Sequence, residues 1–215
     1  MPWSLGRSYV TSHPGWRAAD HKGPQAANQR NAARLYQPGI GPFGEDAAVT
    51  LTLAEMRNSR GDAYAIAGKR RYPSGRYVCD LALGHLPDWA IEVKMARLGR
   101  DNDTYEDAAI KKILSPYADD RSAVTDCRKL SDSGFAGRRA VLIYGFDDPD
   151  RPIMWLIEAF EAVAARTVTL GPRESAPLDR LIHPVFATGH IWAWEVLTAG
   201  HDSNATTHRA STHQP

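Results

Sequence analysis

The stretch Trp89-Ala90-Ile91-Glu92-Val93-Lys94-Met95 has the pattern of a buried strand, into which two charged residues are inserted. Side chains alternate across a β-strand, so Glu92 and Lys94 share one face and the apolar residues beside them share the other. A carboxylate and an ammonium in such a strand are costly to bury unless a metal ion, a phosphate or a salt bridge compensates them. The stretch therefore predicts a strand with one core face and one charged face.

A second apolar strand, Arg76 to Leu83, comes just before it and is interrupted by Asp80. The connector between the strands, residues 84–88, contains glycine and proline, which favour a turn. The two strands are therefore predicted to form a hairpin that sets Asp80 beside Glu92. Two carboxylates at one sheet edge suit Mg²⁺, which takes one or two carboxylates and keeps waters that a phosphate displaces.

The arrangement of Asp80, eleven further residues and Glu92-Val93-Lys94 resembles the PD-(D/E)xK nuclease superfamily. The resemblance extends over residues 43–166, although its specific part is the Asp, Glu and Lys alone. The superfamily often has proline directly before the aspartate, where this chain has Cys79. The resemblance implies an α/β fold with a restriction-endonuclease-like core, αβββαβ, in which helices flank a central mixed sheet.

The same resemblance implies a Mg²⁺-dependent endodeoxyribonuclease that hydrolyses phosphodiester bonds of DNA, with Mn²⁺ as a substitute metal. Asp80, Glu92 and the Val93 carbonyl would hold the metal. Lys94 would orient or deprotonate the attacking water. The first helix of such a core often supplies another acidic residue, for which Glu55 is the candidate. Glu45 is the runner-up for that role.

The biological role stays open at this point, since a restriction or defence endonuclease, a repair nuclease and a mobile-element protein would share these residues. Two other classes of protein also stay open. One is a catalytically inactive nucleic-acid-binding or assembly protein on the same fold, in which Asp80 and Lys94 form a salt bridge across strands. The other is an unrelated α/β protein in which Glu-x-Lys arose by chance. Neither of these would depend on magnesium.

Net charge does not indicate a nucleic-acid partner, because 26 basic residues nearly balance 25 acidic ones. Contacts with DNA must therefore come from local groups of polar and basic residues. Five residues are predicted to make them: Lys69, Arg70, Arg71, Asn102 and Lys111. One site cuts one strand at a time, so cleavage of both strands would call for a homodimer.

Composition divides the chain into three parts. Residues 1–41 are predicted to be an N-terminal arm with a short helix, residues 42–198 a nuclease-like domain, and residues 199–215 a disordered tail of polar residues. Cys79 and Cys127 are too few for a disulfide framework or a zinc site. No apolar run is long enough to span a bilayer, and we expect a cytoplasmic protein without a membrane partner.

Hydrophobic periodicity gives the remaining elements. Helices are predicted at 43–60, 105–114, 119–131 and 152–166, and strands at 62–72, 76–83, 89–95, 138–146 and 167–170. A last strand within 181–198 is predicted at the sheet edge. His183 and His190 lie near it, but no third ligand has zinc spacing, so we do not predict a metal there.

Overall fold

The computed structural model describes residues 44–60, 67–75, 77–84, 88–99, 107–148, 150–179, 181 and 186–197, without the side chains of 59 and 60. The predicted N-terminal arm, the polar tail and the loop that contains Asn102 lie outside these residues. The described elements are, in order, α1 (Glu45–Arg60), β1 (Ala67–Arg71), β2 (Val78–Leu83), β3 (Trp89–Ala96), α2 (Asp107–Leu114), α3 (Ala123–Ser131), β4 (Arg138–Phe146), α4 (Met154–Ala164), β5 (Thr169–Leu170), β6 (Glu174–Leu178) and β7 (Gly189–Leu197).

The strands form a seven-stranded mixed sheet in the order β1-β2-β3-β4-β7-β5, and β6 also pairs with β7. β1, β2 and β3 form an antiparallel meander. β4 is parallel to β3, so the chain must cross over between them, which it does through α2 and α3. β7 returns antiparallel to β4. The predicted α/β class with a mixed sheet flanked by helices is confirmed.

Helices cover both faces of β3. On one face, Leu53 and Met56 of α1 join Ile91 and Val93 in an apolar cluster. On the other face, α3 and α4 contribute buried apolar side chains to a second cluster, among them Val124, Cys127, Leu130, Leu156 and Phe160. Ile91 and Val93 thus lie on one face of β3 and Glu92 and Lys94 on the other, as the alternation along the strand predicted. Because α3 lies across the second face, the charges there are buried.

Local sequence features determine where α2 ends and where α3 begins. α2 ends at Leu114, two residues before Pro116, as predicted from the resistance of pre-proline residues to helix. α3 begins with a capping box, in which Ser122 Oγ accepts from the Thr125 amide and Thr125 Oγ1 accepts from the Ser122 amide. This cap satisfies amides that would otherwise be orphaned where α3 enters the core.

The last strand is not at the sheet edge as predicted. β7 pairs with β4 on one side and with β5 and β6 on the other. Trp192 and Trp194 point to the same face of β7, because they are two residues apart, and both are buried in the second cluster. β6 was not predicted, because Pro177 lies within it. Proline is tolerated there because, in the described sheet, β6 pairs only with β7.

Cys79 and Cys127 are both free and buried in the structure. Among the described helices, none combines the length and apolar character that a membrane crossing requires.

The close pairing of β4 and β7 requires a glycine at position 189. A Cβ on Gly189 would overlap the carbonyl oxygen of Gly145, so Gly189→Ala forces the two backbones apart. We expect a loss of about 1–3 kcal/mol in the free energy of unfolding, measured by urea denaturation. Gly68→Ala is the matched control, because a Cβ there has no heavy atom within 4 Å. Equal stability of the two variants would contradict this packing.

Candidate functional site at the end of the β2–β3 ladder

A β-bulge directs Asp80 toward β3. The register of β1 and β2 shifts by one residue after Gly68, so Asp80 and Leu81 both stand opposite Lys69. A bulge of this kind bends its strand and re-aims a side chain. The ladder between β2 and β3 then stops at the pair formed by Leu81 and Ile91. Asp80 is therefore the first residue of β2 that leaves the ladder.

Beyond the end of this ladder, the Asp80 carboxylate replaces a backbone carbonyl of β2 as the hydrogen-bond acceptor for β3. Its Oδ2 accepts a hydrogen bond of 2.9 Å from the Val93 amide. The next amide on the same edge, that of Met95, donates over 2.8 Å to Glu45 Oε1 at the start of α1. The Val93 carbonyl shares this edge with the Val93 amide, because both groups of one strand residue point the same way. Two carboxylates and a carbonyl oxygen thus line the edge that β2 vacates.

Glu92 lies beside this edge and is 4% exposed. The Tyr72 hydroxyl donates to its Oε1, and its carboxyl group also hydrogen-bonds with Asp80. Burial raises the pKa of Glu92 to about 9, with further upward contributions from the charges of Asp126 and Asp80. The predicted closeness of Asp80 and Glu92 is therefore present in the structure. The negative charges of Asp80 and Asp126 therefore act on Glu92 and favour its neutral form.

Lys94 is 6% exposed and is held from the side of α3. Its Nζ lies 2.5 Å from Asp126 Oδ2 and 3.4 Å from the carbonyl oxygen of Val93. Burial alone would lower the pKa of Lys94, but the charges of Asp126 and Glu45 outweigh it and raise the pKa. The side chain is therefore an ammonium fixed in one place, next to a potential metal ligand.

Asp126 is fully buried and was not predicted as a site residue. It lies in the first turn of α3, where the helix dipole favours a carboxylate. Its second oxygen, Oδ1, forms an ion pair with Lys129 one turn further along the helix. The sequence signal was present, since Asp126 sits inside the buried apolar segment of α3. Only the tertiary structure shows that it faces Lys94.

The oxygen donors at this edge suit a hard cation. Within the part of the chain that the structure describes, no group of three or more His, Cys, Asp and Glu side chains is arranged to hold a metal ion. The donors are instead the carboxylates of Asp80 and Glu92 and the carbonyl of Val93. Mg²⁺ commonly uses one or two carboxylates and keeps several waters. Burial first, and then the charges of Asp126 and Asp80, raise the pKa of Glu92, and a divalent cation would offset those charges.

The predicted acidic residue of the first helix is better matched by Glu45 than by Glu55. Glu45 bonds to β3 and pairs with Lys112 over 2.8 Å. Glu55 is ten residues further along α1, about 15 Å along the helix axis, and so does not reach this edge.

Of the predicted DNA-contacting residues, three are consecutive on β1 and Lys111 lies in the last turn of α2. Lys69 is exposed and pairs with Asp46 of α1 over 2.9 Å. Arg71 is exposed, Arg70 is half-buried, and Lys111 pairs with Asp120 over 3.0 Å. Asn102 lies outside the described residues.

Of the two histidines near β7, His183 lies outside the described residues. His190 stacks on Trp192, and its Nδ1 lies 3.4 Å from Asp147 Oδ1 at the far end of β4.

The raised pKa of Glu92 predicts a pH dependence of stability for the metal-free chain. The folded state keeps a proton that the unfolded state loses above its ordinary pKa of 4.5, so this group's contribution falls as pH rises from there to about 9. Glu92→Gln keeps an acceptor for Tyr72 and should flatten that decline. Urea unfolding in EDTA across this pH range measures it, with the exposed Glu158→Gln as control. Parallel profiles for the two variants would contradict the burial of a neutral Glu92.

Comparison of the chain with protein-family models, with curated proteins and with solved structures gave no match. A function for this chain therefore has to be argued from its own residues.

Proposed function

We propose that this chain is a metal-dependent nuclease of the PD-(D/E)xK type that hydrolyses phosphodiester bonds of DNA. One observation carries the proposal. Asp80, Glu92, Val93 and Lys94, which the motif requires together, meet where the β2–β3 ladder ends. If the Glu-x-Lys pattern had arisen by chance, an aspartate of the preceding strand would not be expected beside it at the end of the ladder.

The order of elements also supports the proposal. Helix α1, the three-stranded meander and the crossover to a parallel β4 follow the αβββαβ order that the resemblance implies. This chain uses two helices, α2 and α3, in the crossover. The second of them carries Asp126 to the site. A restriction-endonuclease-like core is therefore the fold we propose for residues 45–146.

Asp80, Glu92 and the Val93 carbonyl are the groups that would hold Mg²⁺, or Mn²⁺ in its place. The bound cation would lower the pKa of a coordinated water and offset the negative charge that develops on the phosphate. The carboxylate of Glu92 must lose its proton to serve as a ligand, so metal binding at this edge releases a proton.

Lys94 contributes a fixed positive charge. Because its ammonium forms an ion pair with Asp126 and donates to the Val93 carbonyl, it is suited to orienting a water and neutralising a phosphate oxygen. An ammonium carries no lone pair and so cannot deprotonate that water. Of the two roles considered for Lys94, the geometry favours orientation.

The substrate and setting follow from the same residues. Exposed Lys69 and Arg71 supply positive charge on β1, which suits the phosphate backbone of DNA. A single site cuts one strand, so a homodimer is the arrangement we propose for double-strand cleavage in a restriction or defence role. The two free, buried thiols fit a reducing cytoplasm.

One observation favours a second function, a catalytically inactive nucleic-acid-binding or assembly protein. Glu92 and Lys94 are almost completely buried and are joined to Tyr72 and Asp126. A polar network of this kind also specifies a core without any catalysis. Half-buried Asp80 is the group that connects the network to the surface.

A cleavage assay on supercoiled plasmid decides between these functions. We expect cutting with Mg²⁺ or Mn²⁺ and none with EDTA. Asp80→Asn and Lys94→Met should each lower the rate about 100-fold or more. Lys129 still pairs with Asp126 in the Lys94 variant, which protects the fold.

Glu158→Gln on the exposed face of α4 is the control and should cut at the original rate. Circular dichroism checks that each variant is folded. If the folded protein binds DNA but cuts it with neither metal, the nuclease proposal is wrong and the inactive binding protein is the function that remains.

A further inference from the structure

An exposed aromatic ring lies next to the buried site. Tyr77, immediately before β2, is 52% exposed. Its ring meets the edge of the Tyr72 ring at a centroid distance of 6.4 Å and an angle of 67°. Since the Tyr72 hydroxyl bonds to Glu92, only one side chain separates the Tyr77 ring from the carboxylates.

A lysine connects the same ring to the other half of the site. Lys129 Nζ lies 5.8 Å from the centroid of the Tyr77 ring. The same ammonium pairs with Asp126, which holds Lys94. Tyr77 and Lys129 thus form an aromatic and cationic surface where the buried network reaches solvent.

The burial of the site limits what enters it. Glu92 and Lys94 expose 4% and 6% of their surfaces, and Asp80 is half-buried. A base-paired duplex is a stiff object that presents its phosphates on its outside. A single strand bends, so one phosphate can enter a narrow opening while the neighbouring base turns outward.

We propose that Tyr77 and Lys129 bind an unpaired nucleotide beside the phosphate that is cut. This inference rests on the proposed nuclease function and narrows its substrate to single-stranded or locally unpaired DNA. The base stacks on the exposed Tyr77 ring, and Lys129 pairs with the adjoining phosphate. Stacking on an aromatic ring tolerates any base, so this surface adds affinity without sequence preference.

Fluorescence anisotropy with a labelled oligothymidylate and a blunt duplex, both in EDTA, tests the surface without cleavage. Tyr77→Leu keeps apolar bulk against Tyr72 but removes the π-face. It should weaken binding of the single strand about 5- to 100-fold and change duplex binding little. Tyr77→Phe should bind like the original chain. Tyr117→Leu is the matched control, because Tyr117 is 73% exposed in the loop between α2 and α3.

The outcomes separate this inference from the nuclease proposal. Equal single-strand binding by the Tyr77→Leu and Tyr117→Leu variants would overturn the surface, while Mg²⁺-dependent cutting of plasmid would still stand. A chain that binds and cuts the duplex but not the oligothymidylate would likewise overturn the inference alone. A chain that binds neither nucleic acid would overturn this inference, and the nuclease proposal would fall with it only if the plasmid also stayed uncut with Mg²⁺ and Mn²⁺.

Discussion

The hydrogen bond from the Val93 amide to the Asp80 carboxylate is the interaction on which the site depends. A strand amide without a neighbouring strand must find another acceptor, because an unpaired buried N–H is costly. The bulge in β2 ends the ladder after Leu81 and supplies Asp80 as that acceptor. The same break leaves the Val93 carbonyl at the vacated edge. A local defect in the sheet therefore brings oxygen ligands together.

The second constraint is the compensation of buried charge. Breaking a buried ion pair by removing one partner typically costs about 3–5 kcal/mol, since the other charge is left uncompensated. Lys94 and Asp126 compensate each other, and Lys129 takes the second oxygen of Asp126. Within the described part of the chain Glu92 forms no ion pair, and burial raises its pKa to about 9, so that it stays neutral. This asymmetry leaves one part of the site fixed and the other able to gain a cation by losing a proton.

Much of the fold follows from local sequence patterns, while its outer region does not. Strand β4 was predicted with its observed bounds, because a continuous apolar run between polar turns is typical of a strand that is buried on both faces. β6 was missed since proline and polar residues hide an outer strand. β7 was predicted at the sheet edge from its apolar alternation, which does not show how many strands pair with it; in the structure it lies between β4 and the outer strands β5 and β6.

The site was predictable to the extent that neighbours in space are neighbours in sequence. Asp80, Glu92 and Lys94 belong to one hairpin, so strand alternation and a short connector were enough to bring them together. Asp126 comes from a helix more than thirty residues further on, and its meeting with Lys94 depends on how α3 packs. The choice between Glu45 and Glu55 likewise required the angle at which α1 crosses β3, which no periodicity contains.

Diffraction from crystals grown with Mn²⁺ is the sharpest test of metal binding at this edge, because the anomalous signal locates the metal without any assay of activity. We expect one manganese site about 2.1 Å from oxygens of Asp80, Glu92 and Val93. The site should be lost in Asp80→Asn crystals grown under the same conditions. Crystals that show no manganese at this edge while the Lys94–Asp126 pair is intact would contradict the account.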